Sequence, residues 1–418
     1  MTMPNAERSR PIAVLLCEDL PIPGLNGYST YNHAFVKYLE ARGFEGHLVI
    51  SGPRLPAPLF RPRSRVGCTA LQIHLPGTVR LGNWHLVASP RALVRSVYRW
   101  LLDSLGGAWA RRLANWRGIS QNKTAIIGRY LNGTDLRRLN PMLARLAPDY
   151  VFVDTVFRAQ ILDALPPRTR KLLIAHDVFH KRCASLAARG MTALPAVSAE
   201  QEQALAGRFD VLLAISDEDA RDLRELVPAA RIVAVPAPVD ARPVEQRAVA
   251  EPRILYLGSR APHNVDGLRW FLANVWPLVR KVRQDLVLDV AGEAGLALNP
   301  DTPGVVIHGR VEDLSELAGT AQFAINPVRA GSGMKIKMLD YFAFGLPCIT
   351  TGVGAAGFPP SADSPLGISD DPTDFAAAIL QWSGDSQLRA RLRENARRYV
   401  SRFSGESFFA HLDAALEL

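Results

Sequence analysis

No run of eighteen apolar residues occurs in this chain of 418 residues, so no membrane-spanning helix is expected. Cysteine is scarce. Cys17, Cys68, Cys183 and Cys348 stand far apart without a CxxC pair, which predicts buried free thiols and a reducing cytoplasm. The opening apolar run, Ile12 to Cys17, is too short for a signal-peptide core and leads into Glu18-Asp19 rather than a cleavage site. No G-x-G-x-x-G follows a strand-like segment, so the dinucleotide fingerprint is missing. G-x-S-x-G, HExxH and P-loop patterns are missing too, as is any RNA- or DNA-binding motif. Acidic residues are rare between Val79 and Arg145, where twelve Lys or Arg face only Asp103 and Asp135.

That basic stretch exceeds the net charge of the whole chain, +9, and holds Trp84, Trp100, Trp109 and Trp116 of the seven tryptophans. Arginine and tryptophan on helical stretches fit a surface that meets anionic lipid headgroups. A solvated arginine face over an ordinary helical insertion is the plain alternative. The remaining composition is that of an α/β protein long enough for two domains with full cores.

Both halves alternate strand and helix. The first opens with the strand Ile12 to Cys17, the loop PIPGLNGYST and a helix from about Thr30 to Ala41. Short strands follow at Tyr150 to Asp154, Lys171 to Ala175, Phe209 to Ile215 and Arg231 to Val235. Helices are expected at Ser198 to Ala206 and Asp217 to Leu226. Pro236 to Pro252 lacks periodicity and separates a domain of residues 1–240, with the basic segment 79–145, from one of residues 241–418. The second half restarts with the strand Ile254 to Leu257, a helix from Leu268 to about Val282, strands at Leu286 to Ala291 and Val305 to His308, and Val311 to Ala318. Helices near Thr373, Ser386 and Phe408 close it, and the last could pack back on the first domain. Two facing, doubly wound Rossmann-like domains are the fold this predicts.

The richest stretch is Gln322 to Thr351. A buried strand, Phe323 to Val328, leads to Gly331-Ser332-Gly333 and a helix expected from Met334 to a glycine stop at Gly345. Amides at a helix N-terminus with Lys335 and Lys337 nearby make an anion site, with phosphate the best candidate. Lys337 and Asp340 share a helix face. That pairing fits either a surface ion pair or a lysine for phosphate beside a carboxylate for a ribose diol.

The block GSGMKIKMLDYFAFGLPCITT resembles the donor-site motif of retaining glycosyltransferases of the GT-B group, family 4-like. That family carries two glutamates with seven residues between them, the spacing of Ser332 and Asp340 here. Asp340 takes the place of the acid that holds the ribose. Ser332 stands where the family usually has glutamate, and a Gly-Ser-Gly loop with Lys337 three residues before the second acid matches a subgroup. The resemblance covers the C-terminal half closely and the other half loosely.

The resemblance further implies roles for residues elsewhere. Gly258-Ser259-Arg260 matches a loop whose arginine holds the diphosphate, with His263 and Asn264 beyond it. Gly27, after Asn26, matches a glycine facing the donor phosphates. Gly309-Arg310-Val311, followed by Leu314, matches the turn whose backbone reads the base. His176 would contact the transferred sugar, with Asp177, Arg182 and Glu200 on that side. The expected catalytic residues are therefore His176, Arg260 and Lys337. The expected donor-binding set is Gly27, Gly258, Arg260, Arg310, Val311, Gly331, Ser332, Gly333, Lys335, Lys337 and Asp340. No metal or other cofactor is implied, and the acceptor would be a glycan or a lipid-linked glycan.

Other readings of the same residues stay open. His176 and His180 have i, i+4 metal spacing, without a third ligand in sight, and His176 could be structural. Asp217-Glu218-Asp219 has the DxD form of metal-dependent transferases of another fold. Its place after Ser216 fits an N-cap followed by acids in the first helical turn. A nucleotide-sugar 2-epimerase, a binding-only relative and, more remotely, a dehydrogenase are the rivals. The setting the resemblance suggests is bacterial surface-glycan or exopolysaccharide assembly, in the cytoplasm or at the inner membrane face.

Overall fold

The computed structural model describes residues 10–52, 55, 57–88, 90, 92–94, 96–97, 123–359, 361 and 363–418. Seven parallel strands form a first sheet: β1 (Ile12–Cys17), β2 (Glu45–Ile50), β3 (Gln72–His74), β4 (Tyr150–Asp154), β5 (Arg170–Ala175), β6 (Val211–Ala214) and β7 (Arg231–Ala234). Their order is β7-β6-β5-β4-β1-β2-β3. Six more make a second parallel sheet: β8 (Arg253–Leu257), β9 (Val287–Ala291), β10 (Val305–Gly309), β11 (Ala321–Asn326), β12 (Cys348–Thr350) and β13 (Leu366–Ile368), ordered β10-β9-β8-β11-β12-β13. Each sheet reverses its winding direction once, between β1 and β4 in the first and between β8 and β11 in the second. Ligands of doubly wound sheets lie outside the carboxyl ends of the strands at that switch. Central strands are mostly apolar because both faces are covered; every residue of β1 and β9 is buried, including Asp289 of β9, which is bonded by Arg253 and His308. The two Rossmann-like units expected from the alternation are present.

Six helices carry or brace the candidate residues: α1 (Gly27–Ala41), α2 (Phe179–Ala187), α3 (Asp217–Leu226), α4 (Pro262–Trp270), α5 (Lys337–Ala343) and α6 (Gly405–Leu416). Asn26 caps α1 by accepting from Ser29 N, so α1 begins three residues before the expected start. Ser216 caps α3 by accepting from Asp219 N, which settles the Asp217–Asp219 run as first-turn acids. In the second unit, α4 starts at Pro262 rather than Leu268, since proline is suited to a first helical turn. The stretch Val311 to Ala318 leads into a short helix, Ser315–Thr320.

α6 returns to the first unit. Phe408 packs on Phe35 with ring centroids 5.1 Å apart, and Asp413 accepts from Tyr38 Oη at 2.9 Å and pairs with Arg42. The linker after β7 is tied to the second unit, with Arg242 N donating to Ala343 O and Arg247 N to Gly319 O.

The basic stretch is not helical where it begins. Thr78–Leu81 and Trp84–Val87 are antiparallel strands joined through Gly82-Asn83, with Gly82 at φ 61°, and Leu59–Phe60 extends them. A glycine in the left-handed region followed by asparagine favours a hairpin over a helix. Residues 90, 92–94 and 96–97 are helical, and a further helix runs over Gly133–Leu146. Arg91, Arg95 and residues 98–122, with Trp100, Trp109 and Trp116, lie outside the described residues. Trp84 is described, partly exposed, with the Arg61 guanidinium 4.3 Å above its ring. Among the described residues no helix is long and apolar enough to cross a membrane. All four cysteines are free, and Cys17, Cys68 and Cys348 are buried.

Candidate functional site

The carboxyl edge of the first sheet is braced by a buried arginine. Arg158 donates to the Glu18 carboxylate, to Ser51 Oγ at 3.1 Å and to Asp154 O at 2.7 Å, tying together the ends of β1, β2 and β4. Burying a charge is costly unless it is paired and fully bonded, and this one is. Asp154 Oδ2 accepts from Glu18 N at 3.1 Å, while its Oδ1 lies 3.0 Å from His176 Nε2. His176 Nε2 also faces Asn32 Oδ1 at 3.1 Å, and the ring stacks on Tyr28 with centroids 4.6 Å apart. Asn32 Oδ1 can only accept, so Nε2 donates to it, which leaves Nδ1 as the other in-plane nitrogen of the ring. Glu18, Asn32, Asp154 and Arg158 were not singled out from sequence. Their signal, polar residues at the ends of predicted strands, was present but shared with many loop positions.

His176 and His180 do not converge. His180 Nδ1 is bonded to Glu202 at 2.8 Å, and Glu202 also accepts from Phe179 N and His180 N at 2.8 and 2.7 Å. The metal spacing is thus a consequence of one histidine ending β5 and the other opening α2. Among the described residues no three His, Cys, Asp or Glu side chains gather as a metal site. The acid on this side is Glu202, buried at 1% exposure, whereas Glu200 is exposed. The capping box of Ser198 with Gln201 sets the helical phase that turns Glu202 inward and Glu200 outward.

Asp177, the residue after His176, reaches the second unit. It accepts from Ser332 Oγ and pairs with Arg182 of α2. A Cβ on Gly333 would stand 3.2 Å from Asp177 Oδ1, so glycine lets the loop close on this carboxylate. Gly331 N donates to Ser185 Oγ at 3.0 Å. Gly331 and Gly333 both sit at positive φ, 110° and 67°.

Beyond that loop the expected helix is shorter. α5 begins at Lys337, not Met334, because Lys335 Nζ folds back to the carbonyls of Ser332 and Gly333 at 2.9 and 2.6 Å and prolongs the loop. A seven-residue helix without a side-chain cap makes a poor anion site by itself, so the positive charge here comes from side chains. Lys337 Nζ donates to Asn264 Oδ1 at 3.0 Å and lies 5.0 Å from the Tyr256 ring centre. Burial pushes Lys335 down to about 8 and Lys337 down to about 7, the second helped by the first. His263 is held well below its usual range by burial, then by the charges of Arg182, Lys335 and Lys337. The charges of Arg182 from the first unit and of Lys335 and Lys337 from the second thus act on an imidazole whose Nδ1 is buried without a hydrogen-bond partner.

Lys337 and Asp340 are not paired with each other. Asp340 faces Arg242 of the linker at 3.6 Å, and burial raises its carboxyl to about 6 against the pull of that arginine. Arg242 was not foreseen, since it lies far from α5 in sequence.

The remaining candidates line the carboxyl edge of the second sheet. Gly258 N donates to Ala291 O at 3.0 Å and Gly292 N to Gly309 O at 2.6 Å, which aligns three turns side by side. Arg260 is exposed on the first of these, Arg310 exposed after the third, and Val311 half-buried against the core near Leu314. Asn264 Nδ2 ties α4 to Ser259 at 3.0 Å. From the other unit, Gly27 meets the segment just ahead of α5 directly, as a Cβ there would stand 3.0 Å from Ile336 Cβ. The structure thus brings together Gly27, Asp177, Arg182, Ser332, Gly333, Lys335 and Lys337. Arg310 and Val311 stand apart, at the far edge of the second sheet.

Residues 251–385 match the family described as glycosyl transferases group 1. A Klebsiella pneumoniae protein, an uncharacterized 44.6 kDa protein in cps region, is 25% identical over 159 residues, 35% of this chain and 41% of that protein. The match thus spans less than half of the curated relative's length. Among solved structures, sucrose-phosphate synthase from Thermosynechococcus elongatus superposes with a TM-score of 0.66 at 14% identity, covering 98% of both chains. TarM gives 0.69 at 10% identity, covering 98% of this chain and 99% of that one. WaaG, a glycosyltransferase involved in lipopolysaccharide biosynthesis, gives 0.57 at 15%, covering 97% and 99%. At such identities the likeness is one of fold, and the fold is GT-B.

Proposed function

We propose, from a glycosyl transferases group 1 segment set in a GT-B frame, that this chain moves a sugar from a nucleoside-diphosphate sugar to an acceptor held by the first unit. One observation carries the reading: the loop that leads to Lys335 and Lys337 is bonded through Ser332 to Asp177, the partner of Arg182, so cations of both units meet at the cleft. A diphosphate is the anion suited to such a cluster, because its charge grows as the sugar leaves. Arg260, exposed on the neighbouring turn, would add a bidentate grip. Asp340 would take the ribose hydroxyls in exchange for Arg242. The turn at Gly309 to Val311 would present backbone to the base.

His176, held through Nε2 by Asn32 and Asp154, would orient the transferred sugar. Retention of configuration follows if the acceptor attacks on the face the diphosphate leaves, with a phosphate oxygen taking its proton. No metal is needed in this scheme, since lysine and arginine supply the neutralising charge. The likeness to the Klebsiella protein in cps region supports a role in bacterial glycan assembly. Contact of the basic stretch with an anionic membrane, from the cytoplasmic side, would bring a lipid-linked acceptor to the cleft.

The test is a thermal-shift panel of nucleotides and nucleotide sugars on the wild type and Asp340→Ala. Stabilisation by one nucleoside diphosphate and its sugar, weakened in the variant, supports the donor site and names the base. Sugar released or isomerised without acceptor would favour hydrolysis or epimerisation over transfer. No shift with any nucleotide would sink the reading.

A further inference from the structure

A cavity of about 610 Å³ opens at the far end of the first sheet, between the end of β3, the hairpin at Gly82-Asn83 and the helix Gly133–Leu146. Arg63, Arg80 and Arg138 line it, with His74, His85 and Asn83, and among the described residues no aspartate or glutamate does. No ion pair joins these three arginines to a carboxylate among the described residues. Two are aimed by backbone: Arg63 Nη1 donates to Thr69 O and Arg80 Nε to Gly82 O, each at 3.0 Å, leaving the rest of each fork unused. Arg138 lies over Gly77, where a Cβ would stand 3.5 Å from its Nη1 and φ is 90°. The two imidazoles are fixed from behind, His74 by His47 at 2.9 Å and His85 by Thr78 at 2.9 Å.

Arg63, Arg80 and Arg138 are exposed around one concave space, and an anion seated there would draw on all three. Arginine forks match the oxygens of a phosphate in geometry as well as charge. We propose that this cavity is a second anion site, separate from the donor cleft, which takes a phosphate monoester or diester. β3 and β5 are separated by four strand-to-strand steps in the sheet order, so the cavity lies roughly 19 Å from His176 along the same carboxyl edge. A ligand that fills the cavity and also reaches the cleft must be extended and carry its phosphate at one end. Calling that ligand the acceptor rests on the transfer reading; the anion site itself does not.

The test compares the wild type with the double variant Arg80→Ala/Arg138→Ala on two probes. One is soluble sn-glycerol 3-phosphate, followed by calorimetry with the donor site saturated with UDP. The other is a vesicle of phosphatidylglycerol in phosphatidylcholine, followed by co-sedimentation. Each arginine lost should weaken binding by about tenfold, as expected for a charge-assisted hydrogen bond. Affinity for UDP should stay unchanged, which also shows that the variant is folded. Loss confined to the vesicles assigns the phosphate to a lipid headgroup, and loss confined to glycerol phosphate assigns it to a free phosphorylated ligand. Equal binding of both probes by the two proteins, or no binding by the wild type, overturns the proposal. Should the double variant melt early, Arg138→Gln and Arg80→Lys carry the same comparison, with the lysine variant retaining more binding. Absence of UDP binding in every protein would instead count against the donor site alone.

Discussion

Ser332 Oγ donates to Asp177, joining the glycine loop of the second unit to the residue that follows β5 of the first by two positions. The serine occupies the position where the resembling family usually carries glutamate. A carboxylate is nonetheless present at that point of the cleft, delivered by the opposite unit and held by Arg182.

This arrangement makes an unusual mutational order expected. Ser332→Ala removes one hydrogen bond and should lower the transfer rate by less than about tenfold. Ser332→Glu, the change toward the family pattern, sets a second carboxylate against Asp177 and should cost more. Initial rates of the two variants decide it. A glutamate variant at least as active as the alanine variant would show that Asp177 is not the acid that matters.

The lysines predict how nucleotide binding responds to pH. In the empty protein burial holds Lys337 near 7 and Lys335 near 8, so both lose charge as pH rises through that range. A bound diphosphate favours the charged forms, so binding takes up protons. UDP affinity should therefore fall between about pH 7 and 9, by up to about tenfold per unit for each proton taken up. Calorimetry in buffers of different ionisation enthalpy reads that uptake. In Lys337→Ala the slope should shrink together with the affinity.

Gly27 offers a steric test of the contact between units. Gly27→Ala would press a methyl group against Ile336, whose Cβ and Cδ1 would lie 3.0 and 3.2 Å away. Weaker nucleotide binding is expected, with part of it restored by Ile336→Ala, which removes the contacts beyond Cβ. Additive losses in the double variant would mean that the two residues do not communicate.

Asp219 should set a pH limit on stability. Burial raises its carboxyl to about 7, assisted by the charge of Asp177 and opposed by its bond with Ser216. A raised folded-state value means stability is fully present below the unfolded value near 4 and is lost as pH rises through 7. Asp219→Asn should therefore melt close to the wild type at pH 4 and a few degrees higher at pH 8, a gain on the order of 2 kcal/mol. A constant offset at both pH values would trace the effect to packing instead.

Much of the fold was legible because its signals are local. Apolar runs of strand length, Asn26 and Ser216 at helix starts and Gly345 at a helix stop each depend on a few neighbouring residues. The motif from Gly331 to Asp340 was legible for the same reason. The start of α5 was misplaced because Lys335 spends its ammonium on loop carbonyls, a choice that helix propensity does not encode. The hairpin at Gly82-Asn83 was overlooked under a charge pattern that says nothing about backbone. Only the tertiary structure could supply Asp177 to Ser332, Arg242 to Asp340 and Arg182 to His263, pairs separated in sequence by 155, 98 and 81 positions. Local sequence determined the strands, caps and loops. Which charges face each other across the cleft was decided by how the loops and helices of the two units meet, because a Coulomb contact depends on separation in space and carries no trace along the chain.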